Sequence, residues 1–213
     1  MKQGTEEWHA ARRGKATSSR FKDCLNSGKG FTQTNLSYIY ELVAENLTGE
    51  TKQVSARAID HGNEWEWFVR EYIEKARGVE VWEVGFSPLP SDDRIGGSPD
   101  GIVGKNETIV EIKCPYNSAV HVKTLVTGEM PFEHMAQVQG NMWVTGAANA
   151  IFASFDPRVD SRNNLVLIDV PRDDEYIEML KEKVTAVADE VSRLTEIALQ
   201  RAAGSVLIGE INH

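Results

Sequence analysis

The chain has 213 residues, of which 41% are hydrophobic and 26% charged, and its net charge is −9. This composition suits one globular domain spanning residues 1–213 with a full core; it excludes fibrous and disordered classes, and no apolar run approaches the ~18 residues of a membrane span. Cys24 and Cys114 lie far apart, outside any Cys-x-x-Cys pattern, so they read as reduced thiols rather than a disulfide framework or a zinc site. The N-terminus Met-Lys-Gln-Gly-Thr-Glu-Glu lacks the apolar core of a signal peptide, which makes the cytoplasm the expected location.

An acidic chain is a poor general ligand for nucleic acid, because phosphate binding rests on Lys and Arg. The charge is unevenly distributed, however. Residues 1–30 hold seven basic against three acidic side chains, a local balance of +4 that leaves −13 on the remainder. One basic end on an acidic body suits a protein that grips DNA at one place.

In chain order, residues 5–13 read as a short helix with an acidic first turn and a basic last turn, stopped by Gly14. Thr17-Ser18-Ser19 then opens a second short helix through Cys24, gathering hydroxyls and free N–H groups near Arg12 and Arg13. That is either an anion site or plain helix capping. Residues 26–30 form a loop, and residues 34–48 an amphipathic helix with Leu36, Ile39, Tyr40, Val43 and Leu47 toward the core. A longer helical pattern runs from about Val54 to Arg77, interrupted near His61-Gly62, with Trp65, Phe68 and Tyr72 as its buried stripe. On this pattern alone Glu66 is a solvated helix charge.

Val79 to Val84 alternates as a strand, and residues 87–93, with Pro88 and Pro90, read as a loop. Residues 97–115 are two β-branched runs meeting at Gly104-Lys105-Asn106, a hairpin signal. A turn centred on Lys105 and Asn106 makes partner numbers sum to 211, which sets Asp100 opposite Glu111 and Ser98 opposite Lys113 on one face. Directly opposed Cβ atoms lie roughly 4.5–5.5 Å apart. Two carboxylates that close repel unless a proton or cation sits between them, and a hard divalent metal on oxygen ligands is the usual answer. The alternative is a solvated hairpin face, against which stand Pro99, Gly101 and the break at Cys114-Pro115, features that place charges at strand ends. Helices follow over residues 117–127 and 133–145, the second facing the sheet with Met135, Val138, Met142 and Trp143 and carrying Gln137 and Asn141 on another stripe. Strands at 148–155 and 165–170 and a long helix at 173–201 complete the pattern. This order implies an α/β fold with a mixed central sheet flanked by helices.

Pro99-Asp100 followed by Glu111-x-Lys113 resembles the PD-(D/E)XK nuclease superfamily, which implies a restriction-endonuclease-like core. Further blocks resemble one branch, the phage lambda exonuclease (YqaJ-type viral recombinase) family. They are Glu7-Trp8-His9, Arg12-x-Gly14, Thr17-x-Ser19, Gly62-x3-Glu66, Ser98-Pro99-Asp100-Gly101, Glu111-x-Lys113-Cys114-Pro115, the run from Met135 to Thr145, and Phe155-Asp156-Pro157-Arg158.

The resemblance implies a phage- or prophage-encoded, Mg²⁺-dependent exonuclease acting in a bacterial host. It would degrade one strand of double-stranded DNA processively, 5′ to 3′, from a 5′-phosphorylated end, as a homotrimer partnered by a single-strand annealing recombinase. It further implies two Mg²⁺ ions, with Mn²⁺ able to substitute. Asp100, Glu111 and the Ile112 carbonyl hold one, Glu66 helps with the second, and Lys113 orients or deprotonates the attacking water. Arg12, Ser19, Ser98 and Gln137 match the family's pocket for the terminal phosphate. Ile59 is either a candidate apolar wedge for parting the terminal base pair or an ordinary core residue, and the shorter loop at residues 26–33 puts DNA contacts by Lys29 in question. Two rival readings stay open: an endonuclease on the same core, and a non-catalytic DNA-end binding module. In-line phosphodiester hydrolysis favours the first-named assignment independently, since it needs charge neutralised on entering and leaving oxygens.

Overall fold

The structure is a computed structural model that describes the backbone of residues 1–26, 30–51, 56–105 and 107–211; within these, the side chains of 56–64 and 202–211 lie outside the description. The loop residue Lys29 and the side chain of the wedge candidate Ile59 therefore fall outside the description.

Helix α1, Glu6–Arg12, starts where Thr5 Oγ1 accepts the Trp8 N–H at 3.3 Å, with Glu6 and Glu7 in the first turn. It stops at Gly14, whose φ of +67° suits glycine, and any Cβ there would stand 1.8 Å from Asn46 Oδ1. A short strand β1, Ala16–Thr17, leads into a 3-10 helix at Ser18–Cys24. Helix α2, Gln33–Thr48, opens on a capping box between Thr32 and Asn35 and buries Tyr38, Ile39, Leu42 and Val43. Its inward face is rotated from the expected one, for Tyr40 and Leu47 are exposed. Helix α3, Ala56–Arg77, runs without a break at His61-Gly62. Among its described side chains the fully buried ones are Val69 and Ile73, whereas Tyr72 is exposed and Trp65 and Phe68 pack at the edge of the core. The i, i+3, i+7 spacing of Trp65, Phe68 and Tyr72 also fits a stripe turned by about one residue, and it is Val69 and Ile73 that occupy its centre.

Strands β2, Val81–Trp82, β5, Gly101–Val103, β6, Thr108–Lys113, β7, Asn149–Phe155, and β8, Leu165–Pro171, form a five-stranded sheet in the order β2-β5-β6-β7-β8. Only β6 and β7 run parallel, so this sheet is mixed. The expected strand at Val79 to Val84 shrinks to two residues. A second sheet of three strands, in the order β1-β4-β3, contains β3, Ser87–Leu89, and β4, Asp92–Gly97, where the sequence had suggested a loop. The prolines disguised it: Pro88 is tolerated because β3 is an edge strand, and the register shifts between Pro88 and Leu89.

Alternation along β6 divides the core. Val110 and Ile112 pack with Val69, Ile73, Ile151 and Phe155 against α3, while Ile109 packs on the other face with Phe152 and with Val138 and Met142 of α5, Met135–Thr145. Each such buried Val, Ile or Phe contributes about 1.5–3 kcal/mol, enough for Val69 and Ile73 to pin α3 to the sheet. Helix α4, Ser118–Thr127, is tied to β7 by the fully buried His121, whose Nδ1 lies 2.9 Å from Ser154 Oγ. Helix α6, Asp174–Ile211, covers α2 and the small sheet with Leu180, Val184, Val187 and Val191. The architecture is α/β with sheets flanked by helices; two sheets share the work expected of one.

Candidate active site

Within β5 and β6 the register obeys the expected rule, Gly101 pairing with Val110 and Val103 with Thr108. It slips one residue beyond: the Asp100 N–H donates to Val110 O at 3.0 Å, and Ser98, Pro99 and Asp100 belong to no strand. Ser98 and Lys113 are therefore not ladder partners as expected, because Pro99 has no N–H to continue the pairing. The slip gives the Asp100 side chain a backbone role, since its Oδ2 accepts the Ile112 N–H at 2.7 Å.

Asp100, Glu111, Lys113 and Glu66 are nevertheless brought together. Lys113 Nζ donates to Glu111 Oε1 at 2.5 Å, and Asn141 Nδ2 of α5 donates to Glu111 Oε2 at 3.0 Å. Glu111 is fully buried. Burial, opposed by Lys113 and reinforced by repulsion from Asp100, pushes its carboxyl up to about 7. Glu66 is likewise pushed up to about 7 by burial and then by Asp100, and burial raises Asp100. Burial pulls the Lys113 ammonium down, but Glu111, Asp100 and Glu66 outweigh it and hold it above its ordinary value. Glu66 is thus no solvated helix charge: the turn of α3 that buries Val69 aims it at Asp100.

Arg70 completes this cluster and was missed in the sequence. Its Nη1 donates to the Asp100 carbonyl at 3.2 Å and lies 3.6 Å from Glu66 Oε2, while Nη2 lies 3.6 Å from Glu83 Oε2. The Glu66-x3-Arg70 spacing, one helical turn, was the available signal. Asn141 was singled out, though not as a partner of Glu111.

The donor chemistry fits a divalent cation. Three half-buried or buried carboxylates at Glu66, Asp100 and Glu111 face two cations, Arg70 and Lys113, so the cluster holds more negative than positive groups, and burial chiefly, with mutual repulsion, makes each carboxylate easier to protonate. As the side chains stand, no three acidic, His or Cys groups among the described residues form a ready cage, with Lys113 Nζ occupying the Glu111 carboxylate.

Beside this cluster lies a second one built on Arg12. Its guanidinium stacks 4.0 Å over the Trp8 ring, Nη1 donates to Ser98 Oγ at 3.2 Å, and Nη2 donates to Ser19 Oγ at 3.3 Å and Thr17 Oγ1 at 3.5 Å. The Trp8 indole N–H also donates to Ser98 Oγ, at 3.1 Å. Thr17 makes no side-chain cap to the 3-10 helix, so these hydroxyls serve Arg12 and not helix capping. Arg12 makes no ion pair at contact distance among the described residues, and burial pulls it down to about 10, still charged at neutral pH. Ser98 Oγ accepts two N–H donors, which leaves its own O–H to donate. Gln137 sits half-buried on α5 without a hydrogen bond to Arg12, Ser19 or Ser98 among the described residues. Trp8 and Thr17, both inside the quoted sequence blocks, are the members that sequence reasoning did not assign.

The strand end that carries Lys113 is fastened from behind. Asp156, at the end of β7, accepts from Arg158 Nε at 2.8 Å, and Arg158 Nη2 donates to Pro115 O at 3.0 Å. The Arg158 guanidinium holds the Asp156 carboxyl well below the usual carboxylate range.

Comparison with known proteins places the chain in a family. A solved alkaline exonuclease from Laribacter hongkongensis, LHK-Exo, is 34% identical over 94% of this chain and 99% of its own, with a TM-score of 0.85. The same exonuclease solved in complex with dAMP superposes with a TM-score of 0.86, at the same identity and coverage. A phage-related exonuclease from Haemophilus somnus, 18% identical over 86% of this chain and 96% of its own, shares the fold with a TM-score of 0.71. No curated protein matches the chain in sequence. The YqaJ-like viral recombinase domain matches residues 7–148, a span that contains Arg12, Ser19, Glu66, Ser98, Asp100, Glu111, Lys113 and Gln137. The chain belongs to the YqaJ-like viral recombinase family.

Proposed function

We propose that the protein is a divalent-metal-dependent exonuclease that degrades one strand of double-stranded DNA, 5′ to 3′, from a 5′-phosphorylated end. The observation that carries this reading is the segment Ser98-Pro99-Asp100, which belongs to both clusters at once. Ser98 holds Arg12 in the anion pocket, and Asp100, two residues on and so at most ~7 Å away along the chain, stands in the carboxylate cluster. That reach is comparable with the step from one backbone phosphate to the next. A terminal phosphate gripped by Arg12, Ser19 and Ser98, with Gln137 at its side, therefore sets the adjoining phosphodiester beside Asp100 and Glu111. Removing one nucleotide at a time accords with the exonuclease activity named for LHK-Exo and with its complex with a single nucleotide.

In this reading Asp100, Glu111 and the Ile112 carbonyl would hold one Mg²⁺ and Glu66 would help hold a second, with Mn²⁺ able to substitute. When bound, such ions neutralise charge on the entering and leaving oxygens. Lys113 would orient the attacking water and, in its neutral amine form, accept the proton that water gives up. Arg70 keeps Glu66 and the Asp100 peptide aligned. The 213 residues act as one nuclease domain, assembled as a homotrimer that stays on one duplex and leaves a 3′ overhang for a single-strand annealing recombinase in the host cytoplasm. Among the described residues no helix is long and apolar enough to cross a membrane.

The test is incubation with linear and covalently closed circular duplexes of one sequence, with Mg²⁺ or with EDTA. The linear duplex is expected to release mononucleotides with Mg²⁺ alone while the circle survives. Nicking or linearisation of the circle would favour an endonuclease, and no cleavage of either would favour an end-binding module.

A further inference from the structure

Helix α5 carries two buried amides two residues apart, and they are partnered differently. Gln139 is satisfied at both ends, its Nε2 donating to Pro171 O at 2.9 Å and its Oε1 accepting the Asp173 N–H at 2.9 Å. Those bonds join α5 to the start of α6 and are structural. Asn141 is fully buried, yet among the described residues only its Nδ2 is used, toward Glu111 Oε2, and Asn141 Oδ1 has no hydrogen-bond partner there. An ionised Glu111, the form able to hold a metal, accepts and does not donate, so toward that form the amide nitrogen faces Glu111 and its oxygen points away.

A buried carbonyl without a partner costs free energy. A residue chosen for the core alone would be apolar or, like Gln139, fully bonded. Space for this amide is also specifically kept: a Cβ on Gly97 of β4 would stand 2.3 Å from Asn141 Oδ1 and 3.0 Å from Ser18 Oγ. Lys113 holds the other oxygen of Glu111. Lys113 is the group assigned to the water, however, and cannot both restrain Glu111 and turn to a substrate.

We propose that Asn141 is a positioning residue for metal binding: it fixes the rotamer of Glu111 by holding Oε2, so that the carboxylate stays directed at the metal when Lys113 turns away. Resting on the function proposed above, this role makes Asn141 act through Glu111 rather than on DNA. Outer-shell hydrogen bonds of this kind typically change metal affinity about 10- to 100-fold.

The experiment measures Mn²⁺ binding directly, by the loss of the free-ion electron paramagnetic resonance signal, on the full-length protein without DNA. Asn141→Ala and the volume-filling Asn141→Leu are compared with the parent, with Gln139→Leu and with Glu111→Ala, and circular dichroism melting reports the fold of each. Both Asn141 variants are expected to bind Mn²⁺ about 10- to 100-fold more weakly and to need correspondingly more Mg²⁺ for half-maximal cleavage, recovering most of the rate at saturation. Gln139→Leu is expected to melt earlier with unchanged Mn²⁺ affinity. Parental Mn²⁺ affinity in a folded Asn141 variant overturns the proposal, as does failure of both variants to fold, which would give Asn141 to the core. Parental affinity in Glu111→Ala would instead overturn the assignment of Glu111 as a metal ligand.

Discussion

Arg12→Ala tests the anion pocket with a magnitude that follows from the structure. The guanidinium is largely buried, is held by hydroxyls at 3.2 to 3.5 Å, and has no carboxylate at contact distance among the described residues, so an incoming phosphate would have no acidic partner to displace. A 5′-phosphate would meet it with charge-assisted, fork-to-fork hydrogen bonds worth about 1.5–3 kcal/mol. That energy corresponds to roughly ten- to hundredfold in rate. Removing Arg12 leaves no carboxylate stranded, only hydroxyls that can bond water, so the melting temperature is expected to move little. The assay compares initial rates on two linear duplexes that differ only in carrying a 5′-phosphate or a 5′-hydroxyl. The variant is expected to lose most of its rate on the phosphorylated end and little on the hydroxyl end, and Arg12→Lys to recover only part, since an ammonium lacks the fork. Equal losses on both ends would refute the pocket and leave Arg12 with folding or general DNA binding.

Asp100→Ala, Glu111→Ala and Lys113→Ala are each expected to abolish Mg²⁺-dependent cleavage, and Glu66→Ala to impair it most at low Mg²⁺; full activity in any of them, measured as nucleotide release, removes the role given to that residue. Asp156 is held below the ordinary carboxylate range by Arg158, so it adds stability above the unfolded carboxylate value near ~4 that is lost as pH falls below it. Asp156→Asn is therefore expected to melt earlier than the parent at neutral pH, with the gap closing in acid; a gap independent of pH would contradict the ion-pair account. Light scattering is expected to give three times the chain mass of 23.7 kDa, and a monomer mass would refute the ring.

The sequence made the hairpin legible because a two-residue turn and β-branched alternation are local signals, and the pairing of Gly101 with Val110 follows from them. It could not show that Pro99 breaks the ladder and turns the Asp100 side chain onto the Ile112 N–H. Glu66 shows the limit most plainly. Its helix pattern alone reads as solvent-facing; only the packing of Val69 and Ile73 against β6 and β7 turns that side chain toward Asp100. Arg70 and Asn141 escaped assignment for the same reason: what they bond to lies 30 residues away in the chain, at the Asp100 carbonyl and at Glu111. The strands of the small sheet were hidden by Pro88 and Pro90, whose turn propensity outweighs a three-residue edge strand in any local reading. The Arg12 pocket was half legible. Thr17 and Ser19 announced hydroxyls near a helix start, but capping and anion binding share that signature until the side chains are seen to turn toward Arg12.

The central claim is that one site grips a 5′-phosphate and cuts the adjoining bond, and it is tested most directly by a blunt linear duplex phosphorylated on one strand only, with each strand carrying a different label. In Mg²⁺ the phosphorylated strand is expected to shorten steadily from its 5′ end into mononucleotides while its complement stays full length. Shortening of both strands at equal rates, or fragments released from internal positions, would contradict it.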